Sequence, residues 1–327
     1  MAFTEDEHAP AAGGRAPAGG EHAAGGLTLP SFAKINLTLR VHGRRADGYH
    51  EIETVLQTIT LNDRLTFRAL ESGEIELACD APGIPTDDTN LVHRAATALR
   101  ERFRVTLGAS IKLEKQIPAG GGLGGGSSNA AVALVALSHL WGIETSAAEL
   151  SEIGAALGSD VPFFLSGGTA LGTGRGERIE ALPDAPLTYL VVVSPPVHVV
   201  TAEAYKLLNA PALTKVGRAV NFYVSREAPD FSVSLREALA NDFEPAVPRH
   251  YPEIQRARDA LTAAGARAAM LSGSGSSVFG VFDSRESAAR AQEVLNGGQY
   301  GRVFLCETLA RGQYREAFGG CARYLAG

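Results

Sequence analysis

The feature that most constrains the fold is a glycine-rich segment that leads directly into an apolar helix. Residues 118–128 read PAGGGLGGGSS, and the residues that follow, NAAVALVALSHLW, are almost all apolar. Glycines leave backbone N–H groups uncovered, and a helix N-terminus adds the positive end of its dipole. Ser127 and Ser128 add hydroxyls that can cap the helix or contact a phosphate. The segment therefore predicts an anion cradle of the kind that binds phosphate, since flexible linkers seldom run into a capped apolar helix.

Two other phosphate-binding motifs compete for this segment. Gly120, Gly122 and Gly125 satisfy GxGxxG, and Glu144 follows at about the spacing of a dinucleotide fold. That fold needs a continuous apolar strand before the glycines, whereas the preceding IKLEK alternates and is stopped by Pro118. A Walker A loop needs a lysine directly after the glycines, and this chain has none there. Both motifs are rejected.

Composition restricts the class of protein. The chain has 327 residues, 45% of them hydrophobic, which is enough for two cores. Its net charge of −6 argues against a nucleic-acid surface, and no apolar run approaches the ~20 residues of a membrane span. The cysteines, Cys79, Cys306 and Cys321, have no metal-binding spacing and suit a reducing cytoplasm as small apolar fillers.

Hydrophobic periodicity predicts a mixture of strands and helices. Alternation indicates two early strands of an antiparallel sheet, a further strand before the glycines, and two strands around a late glycine turn. Helical spacing indicates a helix from Ser127, opened by three capping residues, and several others. The predicted strands cover 33–41, 64–70, 110–114, the run 187–196 and two parts of 268–282; the other predicted helices cover 90–103, 145–157, 201–208 and 251–264.

The domain organisation follows from composition and from one proline pair. The first residues are rich in alanine and glycine and have no apolar leader, which predicts a disordered extension over residues 1–26. Two prolines within 182–186 mark the best linker. We therefore expect one α+β domain over 27–186 and a second over 187–327.

Five motifs, in this order, resemble the GHMP kinase superfamily. They are AKIN, RRADGYHEIET, PAGGGLGGGSSNAA, GSDVPFF and LSGSGSSVF, and they extend over about residues 30–310. RADGYHE and GTGRGE are similar to the members that phosphorylate the 2-hydroxyl of diphosphocytidyl methylerythritol in non-mevalonate isoprenoid synthesis. The family usually has proline before Ala-Lys, where this chain has Phe32.

The resemblance implies a two-domain α+β fold with the active site in the cleft between the domains. It implies ATP with Mg²⁺ as the phosphate donor, and a small-molecule acceptor, diphosphocytidyl methylerythritol. We expect no nucleic-acid or membrane partner, a cytoplasmic location, and a monomer or a homodimer. No histidine cluster with metal-ligand spacing is present, so Mg²⁺ is expected to arrive with the nucleotide, with Ser127 as the best candidate for a protein ligand.

Lys34 and Asp160 match the family's catalytic pair. A carboxylate beside an ammonium stays ionised and can act as a base, while the ammonium can polarise the attacking hydroxyl. Each residue also has an ordinary interpretation. Asp160 can cap a helix with proline in its first turn, and Lys34 can be a solvated charge on an edge strand.

The remaining site residues are also implied by the resemblance. Asn36, Tyr49 and His50 are expected near the acceptor, and Thr201 and Tyr205 near the cytidine, although Tyr205 could instead pack on a core. Asn90 is expected near the adenine, although it could simply cap a helix. The expected ATP-binding residues are Pro118, Ala119, Gly120, Gly121, Gly122, Leu123, Gly124, Gly125, Gly126, Ser127, Ser128 and Asn90.

Three functional hypotheses follow. The first is the kinase just described. The second is a kinase of the same superfamily with another alcohol substrate, such as mevalonate or homoserine. The third is a non-catalytic nucleotide-binding protein, which would be expected to lack Lys34 or Asp160, and both are present.

Overall fold

The structure is a computed structural model that describes residues 26–209 and 239–327. The predicted extension, apart from residue 26, lies outside the described residues. In the two described ranges, no helix combines the length and the apolar character needed to cross a membrane.

A long antiparallel hairpin is the centre of the first sheet. Strand β1 (Leu27–Arg44) pairs with β2 (His50–Leu70) along almost its whole length. The sheet has seven strands in the order β3-β4-β2-β1-β8, with β5 pairing to the first half of β2 and β6 pairing to β5. The shorter strands are β3 (Ile75–Cys79), β4 (Gly108–Glu114), β5 (Thr169–Gly174), β6 (Arg178–Ala181) and β8 (Ala240–Asn241).

Four helices from the first half of the chain contribute to the first core on one face of this sheet. The central one, α2 (Gly125–Leu140), is buried from Ser128 to Ser138, as its apolar sequence predicts. Its neighbours are α1 (Leu91–Phe103), α3 (Ala147–Leu157) and the short α4 (Val161–Phe164).

The second sheet packs on the opposite face of the first. It is antiparallel, in the order β11-β7-β10-β9. In β7, Leu190 and Val192 contribute to the core shared with the first sheet, while Val191 and Val193 face the outer helices. Its strands are β7 (Tyr189–Ser194), β9 (Ala268–Leu271), β10 (Val278–Phe282) and β11 (Arg302–Glu307). The helices that share a core with its outer face are α5 (Thr201–Leu208), α6 (Val247–His250), α7 (Pro252–Ala263) and α8 (Arg285–Asn296).

A register shift in β1 decides which side chains reach the helix side of the sheet. The shift lies between Phe32 and Ala33, and both Ser31 and Phe32 face the helices there. Beyond it, Ala33 and Ile35 join the core between the sheets. Because side chains alternate along a strand, Lys34 takes the opposite, helix-facing side.

The last helices return to the first core. Helix α9 (Arg311–Glu316) and a 3₁₀ helix (Gly319–Tyr324) follow β11, and Tyr314, Phe318 and Tyr324 are buried with α2 and α4. The Tyr314 ring lies 5.6 Å from that of Phe32, and its hydroxyl donates to the carbonyl of Phe164. The division near residue 186 stays a prediction, with the addition that these late residues belong to the first core.

Most predicted elements are present, with two instructive differences. The stretch 64–70 is only the second half of a strand that begins at His50. The central helix begins at Gly125 and is capped by Gly124 at φ +70°, so the expectation that Ser127, Ser128 and Asn129 open the helix as caps is wrong.

Tyr314 provides a test of the contribution of the late helices to the first core. We expect Tyr314→Ala to lower the free energy of unfolding by ~3–5 kcal/mol, because it leaves a large cavity. Tyr314→Phe removes only the hydroxyl donor and should cost ~1 kcal/mol. Val294→Ala, at a side chain 69% exposed on α8, is the control and should stay within ~0.5 kcal/mol. Equilibrium denaturation measures all three, and equal effects of Tyr314→Ala and Val294→Ala would contradict the assignment.

Candidate active site

A cavity of about 880 Å³ lies between the β1–β2 hairpin, the glycine-rich segment and α5. One end is polar and the other is aromatic. The residues predicted from sequence that line it are Lys34, Asn36, Tyr49, His50, Gly122, Gly124, Asp160, Thr201 and Tyr205.

Lys34 and Asp160 form an ion pair at the polar end. The Lys34 Nζ lies 3.5 Å from an Asp160 carboxylate oxygen, and the side chains are 5% and 34% exposed. Lys34 is therefore not a solvated edge charge. Asp160 precedes α4, but its side chain forms no capping hydrogen bond, so the helix-cap interpretation is wrong. The carboxylate is left free to contact a ligand in the cavity.

A short hydrogen-bond chain fixes the direction of the Lys34 ammonium. Thr54 donates its one hydroxyl hydrogen to the carbonyl of Thr38 at 2.6 Å, so it must accept from the Asn36 amide nitrogen at 2.7 Å. The Asn36 amide oxygen then faces Lys34 and accepts from Nζ at 2.7 Å. Lys34 thus has one donor on Asn36, one directed to Asp160, and a third available for a ligand.

The glycine-rich segment is bound to its neighbours through its carbonyl groups. The carbonyl of Leu123 accepts from the backbone of Lys34 at 3.0 Å, and that of Gly121 accepts from the backbone of Ser277 at 3.0 Å. The Gly122 carbonyl accepts from the Ser272 hydroxyl at 3.0 Å. Within 26–209 and 239–327, no group accepts a hydrogen bond from the N–H groups of residues 120–127. These donors fit an anion at the N-terminus of α2.

Close backbone approach explains why two of these residues must be glycine. Gly122 has φ +76°, and a Cβ there would lie 2.2 Å from the carbonyl oxygen of Ser272. Gly124 has φ +70°, and its Cβ would lie 2.8 Å from the Phe164 ring and 3.0 Å from the side chain of Lys34. The segment therefore packs closely between the turn at Ser272 in the second sheet and the side chain of Lys34.

A fully buried carboxylate, Asp63, lies beneath the same segment. It accepts from the backbone N–H groups of Gln116 and Ile117 at 2.7 and 2.8 Å and from the Asn129 amide at 2.9 Å, and it pairs with Lys115. The Asn129 amide and, separately, Ser128 also bond to Ser31. These partners explain why Ser128 and Asn129 lie inside the helix rather than at its cap.

An aromatic wall forms the other end of the cavity. The rings of His50 and Tyr205 are stacked, with centroids 4.4 Å apart and planes at 18°, and Phe243 meets Tyr205 edge-on at 5.0 Å. Burial raises the pKa of Tyr205 to about 12, with the charge of Asp160 acting in the same direction. Burial, with the nearby charge of Arg44, lowers the pKa of His50. At neutral pH this wall therefore offers a neutral phenol and a neutral imidazole.

Some predicted residues lie away from the cavity. The Asn90 side chain accepts from the backbone of Val92 at 2.9 Å and donates to the carbonyl of Pro85, so it caps α1. Ser128 is buried beneath the glycine-rich segment. The remainder, Pro118, Ala119, Gly120, Gly121, Leu123, Gly125, Gly126 and Ser127, belong to that segment without lining the cavity.

Several cavity residues were not selected from the sequence. Arg175 lies in the GTGRGE motif and Ser274 in LSGSGSSVF, so the motifs were noticed but their side chains were not assigned. Outside the cavity, Asp63 was also not predicted, because an aspartate within LNDRL is typical of a turn. The additional lining residues are Leu39, Arg44, Gly48, Ile52, Thr54, Ser159, Arg175, Ala202, Lys206, Asn209, Phe243, Gly273 and Ser274.

Comparison with known proteins adds independent evidence. Residues 90–168 match the GHMP kinases N terminal domain, and residues 227–300 match the GHMP kinases C terminal domain. The 4-diphosphocytidyl-2-C-methyl-D-erythritol kinase of Pelotomaculum thermopropionicum is 46% identical over 262 residues, covering 80% of this chain and 91% of the relative. The enzyme of that name from Prosthecochloris aestuarii is 42% identical over 284 residues, covering 83% and 94%. A crystal structure of 4-(cytidine 5'-diphospho)-2C-methyl-D-erythritol kinase is similar with a TM-score of 0.69 and 34% identity, covering 86% of this chain and 98% of that one.

Two glycines of the segment give a matched test of close approach. Gly122→Ala should lower the free energy of unfolding by ~1–3 kcal/mol, because it adds backbone strain and a contact with the Ser272 carbonyl. Gly126→Ala is the control, since the nearest atom to its Cβ would be Leu91 Cδ1 at 3.7 Å. It should leave stability unchanged or raise it by up to ~1 kcal/mol. Chemical denaturation measures both. Similar losses in the two variants would show that close approach to Ser272 is not the reason why residue 122 is glycine.

Proposed function

The chain belongs to the 4-diphosphocytidyl-2-C-methyl-D-erythritol kinases of the GHMP kinase superfamily, and on that premise we propose a role for each part of its cavity. The reaction is phosphorylation of the diphosphocytidyl methylerythritol by ATP, a step of isoprenoid precursor synthesis, and we assign the 2-hydroxyl as the acceptor. The observation that carries the assignment of roles is the Lys34–Asp160 pair, 3.5 Å apart, beside the glycine-rich segment. Phosphate and hydroxyl must meet there for the transfer to occur.

The glycine-rich segment is the site for the ATP phosphates. Bound ATP supplies the phosphoryl group that is transferred. The backbone N–H groups of residues 120–127 donate to phosphate oxygens, and the positive end of α2 stabilises their charge. Because the loop carbonyls of Gly121, Gly122 and Leu123 are held by neighbouring residues, the opposite edge of the backbone stays directed at the ligand.

We also assign one residue to Mg²⁺ and one to the adenine. A Mg²⁺ ion that binds with a nucleotide is coordinated largely by the phosphates and by water, with few protein ligands. We retain Ser127, in the first turn of α2, as its protein ligand. Asn90 retains one donor and one acceptor after capping α1, and these can contact the adenine.

Asp160 is assigned as the general base and Lys34 as its electrostatic partner. The carboxylate is one-third exposed to the cavity, so the acceptor hydroxyl can reach it and release its proton there. The Asn36–Thr54 chain holds the Lys34 ammonium in place, and its third N–H stabilises negative charge that develops at the transferred group.

The aromatic end of the cavity is assigned to the cytidine. A neutral imidazole has one donor and one acceptor, and the Watson–Crick edge of cytosine presents an amino donor beside ring acceptors. His50 can therefore read that edge while Tyr205 supports the His50 ring, and Thr201 lines the same end. A mevalonate or homoserine kinase would need no such aromatic end, and three relatives that are 40–46% identical to this chain carry the cytidyl name.

Location and assembly are also proposals. We place the enzyme in the cytoplasm, which is supported by three cysteines that form no disulfide. Burial raises the pKa of the Cys306 thiol to about 12 and that of Cys321 to about 11, so both thiols are unreactive core residues. We retain the monomer or homodimer as the assembly.

Asp160→Asn tests the base. We expect ATP affinity within about twofold of wild type but a kcat lowered by ~10²–10⁴, because general-base catalysis contributes that much. Asp283→Asn, at an exposed aspartate directly after β10, is the matched control and should keep full activity. Steady-state kinetics with the diphosphocytidyl substrate measure both, and wild-type turnover in Asp160→Asn would exclude the catalytic role.

His50 and Tyr205 are expected to affect binding differently. Tyr205→Ala removes the ring on which His50 stacks and should weaken binding of both cytidyl and uridyl analogues by ~0.5–1.5 kcal/mol, the value of an aromatic pair, whereas Tyr205→Phe should keep most of the affinity. His50→Ala should instead lower the preference for cytidyl over uridyl. Competition assays with both analogues decide between these effects, and an unchanged preference in His50→Ala would remove it from base recognition.

A further inference from the structure

Tyr49 combines high exposure with a specific contact. Its side chain is 54% exposed, in the turn between β1 and β2, yet it lines the aromatic end of the cavity beside His50. The Arg175 guanidinium carbon lies 4.8 Å from the centre of the Tyr49 ring. An exposed aromatic ring would otherwise sample several rotamers, so this contact limits its movement.

Arg175 is itself held in a tight turn between β5 and β6. Gly174 has φ +74°, and the Glu177 carboxylate accepts from the backbone N–H of Arg175 at 2.6 Å. The same carboxylate lies 3.8 Å from Arg175 Nε. Because Gly174 pairs with Ile52 across β5 and β2, this turn is fixed beside the end of the hairpin that carries Tyr49.

The Tyr49 turn is also ordered along its own backbone. Arg45 binds the carboxylates of Asp47 and Glu51, and the backbone N–H of Tyr49 donates to Asp47 at 3.1 Å. These contacts fix the backbone of the turn but do not touch the Tyr49 ring. The Tyr49 ring itself lies against the guanidinium of Arg175.

We propose that Arg175 is a positioning residue that holds the Tyr49 ring as one wall of the nucleoside end of the cavity. The inference rests on the proposed function, because it concerns the binding of the cytidine. A wall that is already in place spares the ligand the cost of ordering an exposed side chain. Arginine suits this role better than lysine, since its planar guanidinium stacks on a ring while its Nε faces a carboxylate.

The consequence is a selective effect on the nucleoside. Arg175→Gln should weaken cytidine binding and raise the KM of the diphosphocytidyl substrate by similar factors, about two- to fivefold, the size of an exposed cation–π contact. The kcat and the KM for ATP should not change. Arg175→Lys should recover only part of the loss. Arg178→Gln, at an exposed arginine three positions further on, is the matched control and should match wild type in every assay.

A double-mutant cycle distinguishes this role from a direct contact with the substrate phosphates. If Arg175 acts through the ring, Arg175→Gln has no further effect on cytidine binding in a Tyr49→Ala background. Cytidine itself carries no phosphate, so calorimetric titration with it isolates the nucleoside wall. An Arg175→Gln variant with normal cytidine binding but weaker binding of the diphosphocytidyl substrate would overturn the proposal, and so would additive losses in the cycle.

A measurement without ligand keeps the inference separable from the proposed function. In wild type the ¹³C-labelled Tyr49 ring should show one well-defined set of resonances, and in Arg175→Gln these should shift while the other tyrosine resonances stay in place. Unchanged Tyr49 resonances would overturn the proposal. Wild-type enzyme that neither binds cytidine nor turns over the diphosphocytidyl substrate would instead refute the proposed function, whatever the ring resonances show.

Discussion

The geometry of the site depends on the hydrogen bonds and the ion pair formed by the buried carboxylate of Asp63. A buried charge is tolerated only when donors surround it, and removing its partners costs several kcal/mol. Here those donors are the ammonium of Lys115, the backbone of Gln116 and Ile117, and the amide of Asn129. One side chain of β2 therefore fixes both the entry to the glycine-rich segment and the start of the central helix. The segment that we propose binds phosphate is thus positioned by a residue that does not line the cavity.

Hydrogen bonds to the glycine-rich segment also connect the two sheets. The glycine-rich segment is bound on one side to Lys34 of the first sheet and on the other to Ser272 and Ser277 of the second, and in each case the segment uses its carbonyl groups. The absence of side chains at Gly122 and Gly124 lets these backbones meet. As a result, the polar end of the cavity is assembled by main-chain contacts, which leaves the N–H edge and the Lys34–Asp160 pair for chemistry.

The sequence predicted the elements well where apolar and polar residues alternate, as in 33–41, and where a helix is apolar all round. In the structure, both faces of that strand are buried from Ala33 to Leu37. It also identified Lys34 and Asp160 as a pair. Their proximity could be predicted only from the resemblance, because no local pattern links residues so far apart in the sequence. It could not predict the register shift at Phe32, because a bulge depends on the partner strand. Nor could it predict that Ser128 and Asn129 would be buried beside Ser31 and Asp63. Serine and asparagine are common both as helix caps and as buried hydrogen-bonded side chains, so the residue type does not distinguish the two roles. Contacts with residues distant in the sequence, here Ser31 and Asp63, decide which role such a side chain takes.

The return of the last helices to the first core has a consequence for synthesis on the ribosome. Strands β1, β2 and β4 and the central helix emerge early, but Tyr314, Phe318 and Tyr324 complete their core only after the whole second sheet has been translated. Until then, an apolar face beside Phe32 and Phe164 stays open to water. The core of the first half of the chain is therefore completed only when translation is nearly finished, so the folding of that half depends on contacts distant in sequence.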